Sequence, residues 1–107
     1  MTDRAQGTWN GWFTINPSEE KKDVFYETIR IAEDGTMTGG GTNGQGKAFT
    51  VEGKINTEDR TLVYTKIVEG GPNVPHDGQI NEAYNQITGA FRVEGTELTG
   101  TYELNLQ

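Results

Sequence analysis

The stretch DGTMTGGGTNGQGKAFTVEGKI, residues 34–55, holds seven glycines in twenty-two positions. Glycine weakens both helices and strands, so composition alone reads as a linker. The order of the residues says otherwise. Phe49, Val51 and Ile55 alternate with Thr50, Glu52 and Lys54, the period of a half-buried strand. Asp34-Gly35 is a tight-hairpin signal, and behind it Met37, Gly39 and Gly41 share one side of 36–42. The run NGQG at 43–46 turns the chain into the next strand, 48–55. A strand that carries glycine on its apolar side is one that must bend toward that side.

The same period of two recurs along the chain. GTWNGWFTI, 7–15, aligns Trp9, Gly11, Phe13 and Ile15. VFYETIRIA, 24–32, aligns Phe25, Glu27, Ile29 and Ile31, after a charged loop at 16–24. TLVYTKIV, 61–68, does not separate its faces; Lys66 points inward if Tyr64 does. HDGQI at 76–80 is a short strand behind the loop EGGPNVP. QITGAFRV, 86–93, aligns Ile87, Gly89, Phe91 and Val93, and LTGTYELNL, 98–106, aligns Leu98, Gly100, Tyr102, Leu104 and Leu106. These are eight strands joined by short turns, and short turns require antiparallel neighbours. The expected fold is therefore all-β: an eight-stranded antiparallel up-and-down meander, 1–107 as one domain. Pairing of the first and last strands closes it into a barrel, the number of strands that a core of side chains or one small ligand can fill. Gly11, Gly39, Gly41, Gly53, Gly89 and Gly100, with Gly78, all fall on the inner side. There they relieve crowding where strands coil tightly, or leave room for a ligand.

Bulk properties remove several functions. Nine basic and sixteen acidic groups give a net charge of −7, which repels a phosphate backbone or an anionic bilayer. Neither nucleic acid nor membrane is an expected partner. With no cysteine there is no disulfide, thiolate nucleophile or cysteine metal site. The N-terminal MTDRAQGTW shows no apolar leader core, and the expected location is the cytoplasm.

The segments GTWNGWFTI, DGTMTG, FTVEGKI and ITGAFRVEGTELTGTYEL together resemble the calycin-like barrels, the group of lipocalins, fatty-acid-binding proteins and avidins. In that group a Gly-x-Trp near the start of strand one commonly closes the barrel's end, and Gly7 and Trp9 match it. The avidin-like branch is the most similar. Avidin-like proteins box biotin with tryptophans from middle and late strands, whereas this chain has only Trp9 and Trp12, both in strand one. The resemblance implies the fold, and the departure argues against biotin.

No motif for chemistry stands out. His76 is the only histidine, which excludes a two-histidine zinc site and reads as a solvated loop end. Ser18 lies in a charged loop without a base, and GGGTNGQGK lacks the P-loop spacing. No cofactor or metal is expected. The feature of most interest is charge on inward positions. Glu27, Tyr64, Lys66 and Tyr102 would form a polar floor, the expected ligand-binding interior, with Glu27 and Lys66 paired. The alternative is that a strand end or a bulge delivers both charges to water. Trp9, Phe13, Phe25, Phe49 and Phe91 suffice to fill a narrow barrel. The leading expectation is thus a non-enzymatic module that engages a protein partner rather than storing a ligand. The alternatives are a calycin binding a small apolar molecule, or an isomerase or cyclase using Glu27 or Lys66 as a general base.

Overall fold

The computed structural model describes residues 3–42 and 46–107. Eight strands follow one another: β1 Ala5–Ile15, β2 Lys22–Ile31, β3 Thr36–Thr42, β4 Ala48–Ile55, β5 Thr61–Val68, β6 Asn73–Ile80, β7 Gln86–Arg92 and β8 Thr99–Leu106. Each pairs antiparallel with the next, and β1 pairs with β8 from Trp9↔Leu106 to Ile15↔Gly100, so the meander closes into a barrel. The expected turn at 43–46 lies, except for Gly46, outside the described residues. Among the described residues no helix is long and apolar enough to cross a membrane. The outer face of β4 carries Thr50, Glu52 and Lys54, all exposed, so it lacks the apolar belt a lipid-facing strand needs.

The barrel has two unlike halves. The half that holds the start of β1 is packed solid. Trp9, Ile29, Ile31, Met37, Val51, Ile55, Ile80, Ile87 and Leu104 lie there at 1% exposure or less. Arg4 lies 5.6 Å over the Tyr84 ring and donates from Nε to the Glu33 carbonyl, covering this end. At the other half the inward residues Phe13, Val24, Val68 and Phe91 are only partly buried. That half is the mouth, framed by the loops β1–β2, β5–β6 and β7–β8 and by the adjoining ends of β3 and β4.

Two local departures from simple alternation set what lines the mouth. In the β1–β2 ladder Gly7 faces Ile29, but Trp9 faces Tyr26. Two steps along β1 thus match three along β2, a β-bulge at Glu27–Thr28. An extra residue inverts every side chain beyond it, because the side-chain period is two. Ile29 and Ile31 remain inward as expected. Beyond the bulge Tyr26 turns in, at 1% exposure, while Phe25 and Glu27 face water. The inward reading of Phe25 and Glu27 is corrected accordingly.

The second departure is in β6, which begins at Asn73 rather than at 76. Residues 73–75 pair only with β5, and pairing with β7 starts at His76. Pro75 is tolerated there because a proline lacking its N–H is harmless where one side of a strand is unpaired. His76 is therefore within a strand, in phase with Val74, Gly78 and Ile80. It is buried, not a solvated loop end.

Candidate functional site

The glycines position the site. Gly53 pairs with Tyr64, Gly89 with Tyr102, Gly41 with Phe49 and Gly100 with Phe91. In each pair an aromatic stands across from a residue with no side chain. A Cβ on Gly41 would lie 2.9 Å from Phe49 Cζ, and one on Gly100 would lie 2.7 Å from Phe91 Cζ. A Cβ on Gly78 would lie 2.9 Å from the Tyr102 hydroxyl. The Phe49 and Phe91 rings and the Tyr102 hydroxyl thus lie close against Gly41, Gly100 and Gly78, the aromatic cover that stabilises glycines in sheets. Rings held against the wall leave the centre open.

A cavity of about 180 Å³ occupies that centre. Its upper wall is apolar: Phe13, Ile15, Val24, Val68, Val74, Phe91 and Val93, with Leu104 below. Its polar groups are Tyr26, Lys66, His76 and Tyr102. The five aromatics counted in the sequence do not fill the barrel, since Phe25 is outside and Phe49 and Phe91 lie against the wall. The solid half supplies the floor.

The polar groups form a chain of contacts. The Tyr26 and Tyr64 hydroxyls are 3.2 Å apart and share a hydrogen bond. Tyr64 stacks on His76 at 4.5 Å between ring centres, and His76 stacks on Phe91 at 5.4 Å. Tyr102 meets His76 edge-on and donates to the Asp77 carbonyl at 3.0 Å. The Val74 carbonyl, 2.7 Å from His76 Nδ1, can only accept, so Nδ1 carries the proton and Nε2 an unprotonated lone pair. Lys66 Nζ sits 4.3 Å from the Phe49 ring centre and 5.2 Å from that of Tyr26.

Three of the four expected site residues therefore meet. Tyr64 and Tyr102 are buried with ring centres 6.1 Å apart, and Lys66 is half-buried beside them. Glu27 is not among them. It is exposed on the outer surface, where its carboxylate accepts from Thr42 Oγ1 at 3.4 Å. Among the described residues no carboxylate lies within 4.0 Å of Lys66 Nζ. Sequence reasoning missed Tyr26 and His76. The run Val74-His76-Gly78-Ile80 did carry the period-two signal for His76; Tyr26 had no such signal, because the bulge breaks the phase.

Burial governs the electrostatics. It pushes the Tyr26 hydroxyl up to about 12, and pushes Tyr64 and Tyr102 up as well. Burial also lowers His76 to about 4, the Val74 carbonyl opposing this and the Lys66 charge adding to it. Lys66 is lowered by burial alone. Near neutral pH the phenols and His76 are thus uncharged, and Lys66 is the one basic side chain among the described lining residues that can carry a charge.

Two measurements follow. Because Glu27 and Lys66 are apart, Glu27→Gln and Lys66→Met should combine additively in urea unfolding, within about 0.5 kcal/mol. Lys66→Met alone leaves no buried partner behind and should change stability by about 1 kcal/mol or less. A large coupling would place the pair together after all. The other measurement is pH-dependent. His76 is neutral in the fold below the pH at which a free histidine, at about 6.5, takes up its proton. Its contribution is full above about 6.5 and is lost as pH falls toward about 4, since the unfolded chain binds the proton first. Stability lost between pH 7 and pH 4.5 should be about 2 kcal/mol greater for the native protein than for His76→Gln. Equal losses would mean His76 reaches water.

Comparison with known proteins finds no matching family model, no matching curated protein and no matching solved structure.

Proposed function

We propose that the protein is a non-enzymatic binding barrel of calycin-like type that takes one small, largely apolar ligand in its mouth. The observation that carries this reading is the asymmetry of the interior. One half is built of side chains at 1% exposure or less around Trp9, and the other holds a cavity of about 180 Å³ walled by aromatic and branched side chains. Interiors normally close such space. Pockets with apolar walls and a few placed polar groups are the usual form of ligand sites. An apolar cavity of roughly 150 Å³ accommodates benzene, which sets the scale here: one ring with a small substituent. Leu104, fully buried, lines the floor and belongs to the packed half, which limits the length of a ligand.

This reading is preferred to a protein-docking module because the distinguishing feature is inside the barrel, not on its outer face. It is preferred to an isomerase or cyclase because Glu27 is not in the cavity to act with Lys66, and the buried phenols hold their protons. The test is titration with toluene and benzyl alcohol, followed by backbone amide NMR. Saturable shifts at Phe13, His76, Phe91 and Val93 are expected. Shifts confined to the outer face, or none, would remove the reading.

A further inference from the structure

We infer that the ligand is a small monocarboxylate, with its carboxylate against Lys66 and its apolar body among Phe13, Phe91 and Val93. The inference rests on the binding reading above and adds the chemistry of the headgroup.

Lys66 enters the cavity from β5, half-buried, with its ammonium against the faces of Phe49 and Tyr26. Ring faces attract a cation, but they do not replace the hydration that burial removes. Among the described residues no carboxylate neutralises it. Glu27, whose place in the sequence suggests that role, is turned to the outer surface by the bulge in β2. The wall thus holds a cation with three N–H donors and no counter-ion. Burial disfavours the charged amine, the expected sign for a charge without a partner. A ligand carboxylate supplies the missing charge and accepts charge-assisted hydrogen bonds, which are stronger than neutral ones.

The rest of the wall narrows the class. Among the described residues Lys66 is the only cation lining the cavity, so a second negative charge on the ligand would be buried unpaired. The net charge of −7 also disfavours a multiply charged anion approaching the mouth. The His76 Nε2 lone pair repels an anion, so the carboxylate belongs on the Lys66 side. Four valines, an isoleucine, a leucine and two phenylalanines receive the hydrocarbon part.

The test compares benzoate with its near-isosteric neutral analogues benzyl alcohol and toluene, by calorimetry and amide NMR on the full chain. Benzoate should bind about tenfold more tightly than benzyl alcohol, as expected for a hydrogen bond to a charged group. Lys66→Met should abolish that preference while leaving toluene binding in place, and Lys66→Arg should retain it. Toluene binding and amide spectra report whether each variant is folded. Equal affinity for benzoate and benzyl alcohol, or a preference that survives Lys66→Met, overturns the headgroup assignment and leaves the apolar cavity standing. Failure of all three probes to bind overturns both.

Discussion

Alanine at position 9 is expected to cost about 3–5 kcal/mol of stability, the range for removing a large buried aromatic. Trp9 is fully enclosed in the packed half, between β2 and β8 through its pairs Tyr26 and Leu106. Its loss would open new empty space inside the packed half. Phenylalanine at the same position should behave differently. Among the described residues none accepts a hydrogen bond from the buried Trp9 Nε1. An unsatisfied buried donor costs roughly 1–3 kcal/mol, and Trp9→Phe deletes it along with part of the ring. The two effects oppose, and the net change should be about 1 kcal/mol. Urea unfolding of both variants separates the terms. A phenylalanine variant as damaged as the alanine one would show that the indole N–H is bonded in solution, for instance to an ordered water.

Valine at Gly89 or Gly53 is expected to cost about 3 kcal/mol, the upper end for overpacking. The reason is what a side chain would strike. At Gly89 a Cβ overlaps the Asp77 carbonyl oxygen and Gly78 Cα; at Gly53 it overlaps the Val63 carbonyl oxygen and Tyr64 Cβ. These are backbone atoms or the first atom of a side chain, and none can swing away. Gly95 serves as the control. Its φ is +79° and nothing lies within 4 Å of its would-be Cβ, so Gly95→Ala meets only backbone strain, about 1 kcal/mol. Denaturant midpoints decide. If both valine variants matched the alanine control, the strands could relax apart and the close glycine contacts would not be structural.

The strand count, the antiparallel order and the closing pair of β1 with β8 were legible in the residues. Each depends on signals within one strand or one turn: alternation in AFTVEGKI, Asp34-Gly35 at a hairpin, apolar sides of matching length in β1 and β8. The inward glycines were legible for the same reason. Gly53 and Gly89 sit in phase with Val51, Ile55, Ile87 and Phe91 on their own strands. Tyr102 could be placed in the interior by that phase alone, whereas β5 did not separate its faces and Lys66 was inward only if Tyr64 was.

What the tertiary structure decided were the places where phase is set by a neighbour. The bulge at Glu27–Thr28 arises from fitting β2 to β1, residues some twenty positions apart, and nothing within VFYETIRIA announces it. It exchanged Glu27 for Tyr26 at the cavity wall and left Lys66 without its expected counter-ion. His76 turned on a similar point, since the start of β6 is fixed by pairing with β5 before β7 joins. Whether the barrel was full or hollow was a sum over all eight strands. The aromatic side chains are numerous enough to fill it, but several lie over glycines of adjacent strands, and that arrangement exists only once the strands are side by side.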